Sequence, residues 1–419
     1  MPPGFHRLIA AQFASALADN ALLIVAIAVL QEQQLPGWWA PLLKFSFTIA
    51  YVVLAPFVGP VADAVPKARL MAWMNGVKVV GVIALLLGLH PALAFAIVGL
   101  GAAAYAPAKY GLVTELVRPH QLVAANGWIE VSVVCAALLG TGLGGVLVSQ
   151  PLRELGLAGQ VQALWGGSAS GLALSLTSLL LVYGIAAWLN IGIPDSGVRY
   201  ARSGRNPMAL SRSFGHANRM LWRDAEGGLS LAVTTLFWGV GATLQFAVLR
   251  WAVDVLGLTL DRAAYLQAGV AVGVVAGAAV AGRCIALHRA VNVLPLGIVL
   301  GLLIPLAAAC SHLGTALPML MLVGAVGGLL VVPMNALLQH RGYQLLSAGR
   351  SVAVQGFNEN LSVLGMLAAY AALLAWEVPI VWVMSALGVA IAAAMAMLWW
   401  RERCRVRAEL QAAAFVAPR

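Results

Sequence analysis

Twelve apolar segments of about 20 residues recur from one end of this chain to the other. A helix of about 20 residues crosses the roughly 30 Å hydrocarbon core of a bilayer. The segments of the first half cover residues 8–30, 41–62, 70–89, 92–114, 124–149 and 170–193. Those of the second half cover residues 228–252, 263–282, 291–311, 316–338, 352–375 and 379–400. Because lipid offers the backbone no hydrogen-bond partner, the pattern predicts an all-α polytopic membrane protein with twelve transmembrane helices.

The composition excludes a water-soluble domain. Hydrophobic residues make up 62% of the 419 positions and charged residues only 10%, with a mean hydropathy of +0.91, whereas soluble domains are about 25% charged. The cysteines lie far apart, so we interpret them as small buried apolar residues and predict neither a zinc site nor a disulfide framework. They are Cys135, Cys284, Cys310 and Cys404.

The positive charges indicate the orientation. Nineteen of the 25 Lys and Arg residues fall on the side of the N-terminus, and four fall on the other side. Those four are Lys44, Arg153, Arg250 and Arg262. The positive-inside rule then predicts a multi-pass protein of a bacterial inner membrane with both termini in the cytoplasm. The net charge of +10 is thus explained by topology and membrane-lipid contact, and no nucleic-acid partner is predicted.

One long polar connection divides the chain. Residues 195–227 contain six arginines, and we interpret this segment as a cytoplasmic basic linker. The predicted domains are a six-helix bundle at 1–194, the linker, a second six-helix bundle at 228–400 and a cytoplasmic basic tail at 401–419.

The linker carries a helical pattern. Arg205, Arg212 and Arg219 recur every seven residues, and the apolar residues fall on a different helix face. Those apolar residues are Leu210, Phe214, Leu221 and Trp222. The pattern predicts a helix that lies on the anionic inner leaflet.

A weak internal repeat relates the two halves. The sequence from Asn126 to Glu130 opens the fifth span, and the similar sequence from Gln355 to Glu359 opens the eleventh. The fourth and tenth spans carry Pro-Ala-Lys ending at Lys109 and Pro-Met-Asn ending at Asn335. These matches indicate two parallel, pseudo-symmetric bundles.

Asp19 is the most informative charged residue. It stands about 16 Å along the first span, where a carboxylate costs several kcal/mol unless it faces water, a partner or a substrate. We predict a substrate-binding or gating role, with a structural contact to a neighbouring helix as the alternative. Asn20 points about 100° around the helix, and it lines a cavity or bonds a neighbouring helix.

Three further charged residues lie in the spans. Lys109 follows a helix-opening Pro107, and Glu130 and Glu359 occupy matching places in the two halves. We predict an inward gate whose ion pairs break and reform as the halves rock. The alternatives are snorkelling of the lysine and solvation of the acids at helix ends.

The connection between the second and third spans contains Gly59, Asp63, Lys67 and Arg69. This spacing resembles the Gly-x-x-x-Asp motif with its basic loop in the major facilitator superfamily. The resemblance implies a conformational role, in which the aspartate braces a neighbouring helix end.

No sequence motif for chemistry accompanies these charges. The chain lacks His-Glu-x-x-His, Gly-x-Ser-x-Gly, a Walker loop and His-x-x-x-x-Asp, so we predict a protein that is not an enzyme and has no cofactor or metal.

Five sequence blocks are similar to those of one family. They read SALADNALL from Ser15, APFVGPVAD from Ala55, AAAYAPAKYG from Ala102, LFWGVG from Leu236 and VVPMNALLQ from Val331. In this order they resemble the bacterial lysophospholipid transporters of the major facilitator superfamily, and the similarity covers nearly the whole chain.

The resemblance implies a flippase that returns lysophosphatidylethanolamine, and lysophosphatidylglycerol as well, from the outer to the inner leaflet for reacylation by a partner acyltransferase. Asp19 would bind the head-group amine and Lys109 the phosphate. Further residues expected to bind substrate or form gates are Tyr105, Asn126, Trp238, Gln245, Asn335 and Asn358.

Gln245 departs from the family pattern. Members of the family carry an arginine at this place in the seventh span, and if that arginine pairs with the first-span aspartate, Asp19 lacks this partner or uses another.

Two alternatives remain open at this level. One is a proton-coupled exporter of drugs or small metabolites on the same fold, with Asp19, Glu130 or Glu359 carrying the proton. The other is an intramembrane enzyme of lipid metabolism, for which no nucleophile or metal cluster is recognisable.

Overall fold

The computed structural model describes residues 1–2, 4–35, 39–154, 156–165, 171–200, 204 and 206–416, and it is almost entirely helical. The helices of the first half are α1 (Phe5–Glu32), α2 (Trp39–Ala64), α3 (Lys67–Leu86), α4 (Pro91–Leu116), α5 (Leu122–Leu147), the short α6 (Gln150–Arg153) and α7 (Gly156–Leu164), and α8 (Ala173–Ile191). A linker helix, α9 (Pro207–Arg223), follows. The second half contains α10 (Ala225–Asp254), α11 (Leu260–Cys284), α12 (Leu294–Ala308), α13 (Leu313–Leu345), α14 (Ala348–Ala375) and α15 (Ile380–Val416).

Twelve of the described helices are long and apolar enough to span a membrane. Each predicted span overlaps one of them, which confirms the predicted fold class. The last helix continues through the predicted boundary at residue 400 to Val416, because the sequence there has no helix breaker and Arg405 pairs with Glu402 and Glu409 on the same helix at 2.6 and 2.8 Å.

Glycines bring neighbouring helices close together. A Cβ on Gly140 of α5 would lie 2.6 Å from the carbonyl oxygen of Leu17 in α1, and one on Gly144 would lie 2.9 Å from that of Ala21. Such close backbone packing is how transmembrane helices associate without a hydrophobic driving force. It fixes the polar face of α1 against α5.

The cysteines are less buried than predicted. Cys284 and Cys404 are exposed on the protein surface, and Cys135 and Cys310 are half-buried. The prediction of full burial is wrong for two reasons: the outer face of a spanning helix meets lipid, which accepts a small apolar side chain as readily as a protein core does, and Cys404 lies beyond the last predicted span, among the charged residues of the tail.

Among the described residues, the large apolar cluster that joins the two halves lies on one side of the protein. This side, where α1 begins, α2 ends and α9 lies, is called the linker face. One apolar cluster there combines Phe5 and Val123 of the first half with Ala281 and Val331 of the second. The two other large clusters are each confined to one half. The halves are therefore closed against each other at the linker face.

The linker helix packs on the protein. Leu221 is fully buried in a cluster with Leu231, Leu338 and Val354 of the second half, while Arg212 and Arg219 are exposed. The expectation that its apolar residues lie on the leaflet is therefore wrong for Leu221, because the ends of three spanning helices offer it a closer apolar surface. Arg205 lies outside the described residues.

Candidate functional site

Asp19 forms an ion pair within the first half. Its Oδ2 accepts a hydrogen bond from Nζ of Lys78 in α3 at 2.7 Å, and its Oδ1 accepts one from the Tyr183 hydroxyl in α8 at 2.7 Å. Lys78 also donates to Ser15 Oγ, one turn before Asp19, at 2.9 Å. Both carboxylate oxygens are thus occupied, and Lys78 supplies the partner that sequence reasoning did not identify.

Aromatic rings surround the Lys78 ammonium. Its Nζ lies 5.2 Å from the ring centre of Tyr105 and 5.7 Å from that of Tyr183. A carboxylate and two aromatic faces form the kind of environment that binds a substituted ammonium group. In this conformation the protein's own lysine fills it. The signal for Lys78 was its position inside a span, the same argument that singled out Asp19.

Lys109 is buried with neutral partners. It donates to Gln12 Oε1 at 3.3 Å, and its Nζ lies 4.1 Å from the ring centre of Tyr110. Gln12 is fixed in turn by a 2.7 Å hydrogen bond from its Nε2 to Ser132 Oγ in α5. Among the described residues, no carboxylate oxygen lies within the 4.0 Å of an ion pair with Lys109. A buried ammonium with no anion in direct contact is costly, and a negative charge that entered this site would reduce that cost.

Glu130 and Glu359 form no direct ion pair with Lys109 among the contacts of the described residues. Glu130 is buried on α5, and Glu359 on α14 accepts a 2.8 Å hydrogen bond from Gln355 Nε2, which also donates to Asn335 Oδ1 at 3.0 Å. The ion pairs of the predicted gate are not formed within this part of the described structure, so the gate stays a prediction for another conformation.

Asn126 connects the two halves. Its side-chain amide exchanges two hydrogen bonds, each 2.9 Å long, with that of Gln339 in α13. Sequence reasoning missed Gln339, although it ends the last of the five sequence blocks. The pair lies at the linker face and helps to hold it closed.

The loop between α2 and α3 braces the other half. Asp63 accepts hydrogen bonds from the Ser347 hydroxyl and from Gly349 N, the latter at 2.9 Å, at the start of α14. A carboxylate there also stabilises the positive end of the helix dipole. Lys67 pairs with Asp63 at 3.7 Å and with Glu115 at 2.6 Å.

Gly59 and Arg69 complete the predicted loop. A Cβ on Gly59 would come within 2.9 Å of the Arg350 Cα, so only glycine allows α2 and α14 to approach this closely. Arg69 is exposed beside the loop.

The remaining predicted residues are dispersed. Asn20 donates to the Ala16 carbonyl of its own helix at 2.8 Å. Asn358 Oδ1 accepts a hydrogen bond from Trp222 Nε1 at 3.1 Å, so this side chain faces the linker helix. Trp238 is half-buried, 5.7 Å from the Phe237 ring.

Gln245 lies on α10 near the face of the protein that is opposite the linker face. It is exposed, and its Oε1 accepts from Lys44 Nζ of α2 at 3.4 Å. The expected family arginine is thus replaced by a neutral residue, but a cation from the other half lies beside it.

Twelve spanning helices, a linker at the middle of the chain and charges buried inside the first bundle are typical of a membrane transporter of the major facilitator type. A family model described as Major Facilitator Superfamily matches residues 8–361. The crystal structure of a bacterial homologue of the iron transporter ferroportin in an outward-facing state has a TM-score of 0.70 at 15% identity, covering 96% of this chain and 99% of that one. A variant of the E. coli fucose:proton symporter FucP gives 0.70 at 16% identity, over 96% and 98% of the two chains. These likenesses show the fold.

Comparison with sequence relatives identifies the family more narrowly than the solved structures do. The chain is 40% identical to the lysophospholipid transporter LplT of Shigella flexneri over 403 residues, 96% of each protein. It is 39% identical to LplT of Escherichia coli O1:K1 over the same shares. The chain belongs to this lysophospholipid transporter family of the major facilitator superfamily, and it is accordingly a transporter rather than an enzyme.

Proposed function

We propose that the protein moves lysophosphatidylethanolamine and lysophosphatidylglycerol from the outer to the inner leaflet of a bacterial inner membrane. In this proposal the linker face and both termini lie in the cytoplasm, and a cleft between the halves opens at the opposite face, towards the outer leaflet. An acyltransferase at the inner leaflet would then reacylate the delivered lipid. The names of the relatives support the class of substrate, and the distribution of Lys and Arg supports the orientation.

The observation that carries the proposal is the buried Lys109 ammonium with only neutral partners. A lipid phosphodiester supplies the missing negative charge, through a charge-assisted hydrogen bond. The head-group amine is secondary, because both oxygens of Asp19 are already bonded to Lys78 and Tyr183. An amine reaches Asp19 only by displacing Lys78, and a phosphodiester without an amine meets no such obstacle.

Transport proceeds in this proposal by alternating access. The linker-face contacts of Asn126 with Gln339 and of Asp63 with α14 break as the halves rock. Lys109, together with Glu130 of its own half, then approaches Glu359 of the second half. An ion pair formed in this way would displace the phosphate towards the inner leaflet. Tyr105, Trp238 and Asn335 contribute the remaining walls of the path.

The test is a leaflet-resolved flipping assay in liposomes with labelled lysophosphatidylethanolamine and lysophosphatidylglycerol. The wild-type protein should flip both, Lys109→Gln should flip neither efficiently, and Lys109→Arg should retain most of the rate because it retains the charge. Equal flipping by wild type and Lys109→Gln would overturn the phosphate site. Wild-type protein that flips no lysolipid, but exports small solutes under a proton gradient, would overturn the function itself.

A further inference from the structure

A lysine lies between the two halves at the face opposite the linker face, far from the groups discussed so far. Lys44 lies near the start of α2 at the opposite face and is exposed. Its Nζ approaches Gln245 Oε1 of the second half at 3.4 Å and lies 5.9 Å from the ring centre of Phe246. The Gln245 main-chain carbonyl is held by the side chain of Gln267. Lys44 therefore bridges the two halves at this face, at the rim of the cleft that the proposed function places there.

The described neighbours of this ammonium leave it without a negative partner. A 3.4 Å contact to an amide oxygen is long for a hydrogen bond from a charged donor. No described carboxylate lies within 4.0 Å of Lys44 Nζ. An anion at this position would gain a stronger bond than the one that it replaces.

One face of α2 connects Lys44 with the phosphate site. Lys44, Thr48 and Tyr51 follow at spacings of four and three, which places them on the same side of the helix. Tyr51 lies about 10 Å further into the membrane and is close enough to Asp19 and Tyr110 for electrostatic interaction with both. The Tyr110 ring is the one beneath Lys109. Thr48 and Tyr51 therefore lead from Lys44 towards the interior along one face of α2.

The neighbouring face of α2 suits a single acyl chain. Phe45, Ile49 and Val53 recur every fourth residue and are 47%, 37% and 60% exposed. A cation at the membrane surface above an apolar stripe matches a lipid with its phosphate at the rim and its chain still in the leaflet.

We propose that Lys44 and Gln245 form a rim site that captures the phosphodiester of a single-chain lipid before it moves to Lys109. This inference rests on the proposed function, since it names the first binding step of the same path. Lys44 acts here as a substrate-binding residue at the start of transport and takes no part in the later movement of the halves.

The experiment measures initial flipping rates in liposomes against the concentration of labelled lysophosphatidylglycerol. The variants are Lys44→Gln, Lys44→Arg and, as a matched control, Arg250→Gln. Arg250 is also exposed near the opposite face, but it is paired on its own helix with Asp254 at 3.1 Å. Lys44→Gln should raise the half-saturating concentration about tenfold or more, as expected for one lost hydrogen bond between charged groups, with the maximal rate nearly unchanged. Lys44→Arg should restore the wild-type value, and Arg250→Gln should leave it unaltered.

Two results would overturn the rim site. One is a wild-type half-saturating concentration in Lys44→Gln, which would mean that Lys44 only contacts bulk phospholipid. The other is an equal rise in Arg250→Gln, which would mean a general effect of surface charge. Both results require an active wild-type protein, whereas failure of the proposed function would appear as absent lysolipid flipping in the wild type.

Discussion

The two bundles are related by a sequence repeat, yet their interiors differ in charge. Lys109 and Asn335 each stand two residues after a proline inside a helix, in α4 and α13. The first half surrounds its position with Asp19, Lys78 and Glu130, while the second half pairs its asparagine with Gln355. The same scaffold therefore carries a charged site in one half and an amide network in the other. We infer that the first half binds the head group and that the second half closes over it.

The largest difference in stability between substitutions in the two halves is expected when the Asp19–Lys78 ion pair of the first half is broken. Lys78→Leu leaves a carboxylate without its cation inside the bundle and should lower the free energy of unfolding by about 3–5 kcal/mol. The double variant Asp19→Leu/Lys78→Leu should recover much of that loss. In the second half, Gln355→Leu should cost about 1–3 kcal/mol, since it removes only neutral donors.

Thermal unfolding in one detergent checks all three variants. Equal losses in Lys78→Leu and in the double variant would contradict a buried ion pair as the cause.

A second comparison concerns the effect on transport of substitutions at two pseudo-equivalent positions, Lys109 and Asn335. Lys109→Gln should reduce lysolipid flipping at least about tenfold, which corresponds to roughly 1.4 kcal/mol of lost interaction. Asn335→Ala should reduce it by less than about threefold, because an amide hydrogen bond contributes only about 0.5–1.5 kcal/mol. If both substitutions have the same effect in the liposome assay, the assignment of head-group binding to the first half is wrong.

A third prediction addresses the contact between the halves. Asn126→Ala removes both hydrogen bonds to Gln339 and leaves that amide unpaired, which should favour opening of the linker face by about 1–3 kcal/mol. Spin labels at His120 and His288, which are exposed in the two halves at the linker face, should show a larger population of long distances.

The control for this experiment is Asn360→Ala. The Asn360 side chain donates to the Gly356 carbonyl of its own helix at 2.8 Å, so its loss should leave the distances unchanged. An unchanged distribution in Asn126→Ala as well would show that other contacts close this face.

The smallest effect on stability is expected for a surface ion pair at the start of the second half. Asp224 caps α10 through Gly227 N at 2.8 Å and pairs with Arg341 at 2.7 Å. Its hydrogen bonds with the Arg341 guanidinium hold the pKa of this carboxyl below its ordinary value. The contribution to stability is therefore complete above the unfolded pKa of about 3.9 and is lost as the pH falls through the lower folded pKa.

Asp224→Asn keeps the cap but loses the charge. It should cost less than about 1 kcal/mol at neutral pH, and its melting temperature should fall less than that of the wild type as the pH is lowered. Parallel melting curves for the two proteins at acid pH would contradict a role for Arg341.

Asp19 and Lys109 were predictable as functional candidates because burying a charge in hydrocarbon is costly wherever the helix packs. Lys78 met the same criterion, but its role depends on Asp19, which is 59 residues away in the chain. Asn358 matched the repeat and still faces the linker helix, because the repeat fixes its position along α14 and not which element packs against that turn.

The sequence by itself determined the number of spans, their approximate limits and the division into two halves. Those properties depend on about 20 consecutive residues at a time, since each helix must satisfy its own backbone in lipid. Only the tertiary structure decided that Lys78 neutralises Asp19, that α9 packs on the protein and that Lys44 meets Gln245, 201 residues away. Such contacts depend on the rotation and tilt of whole helices, which close packing of small residues sets and which the hydrophobic pattern leaves open.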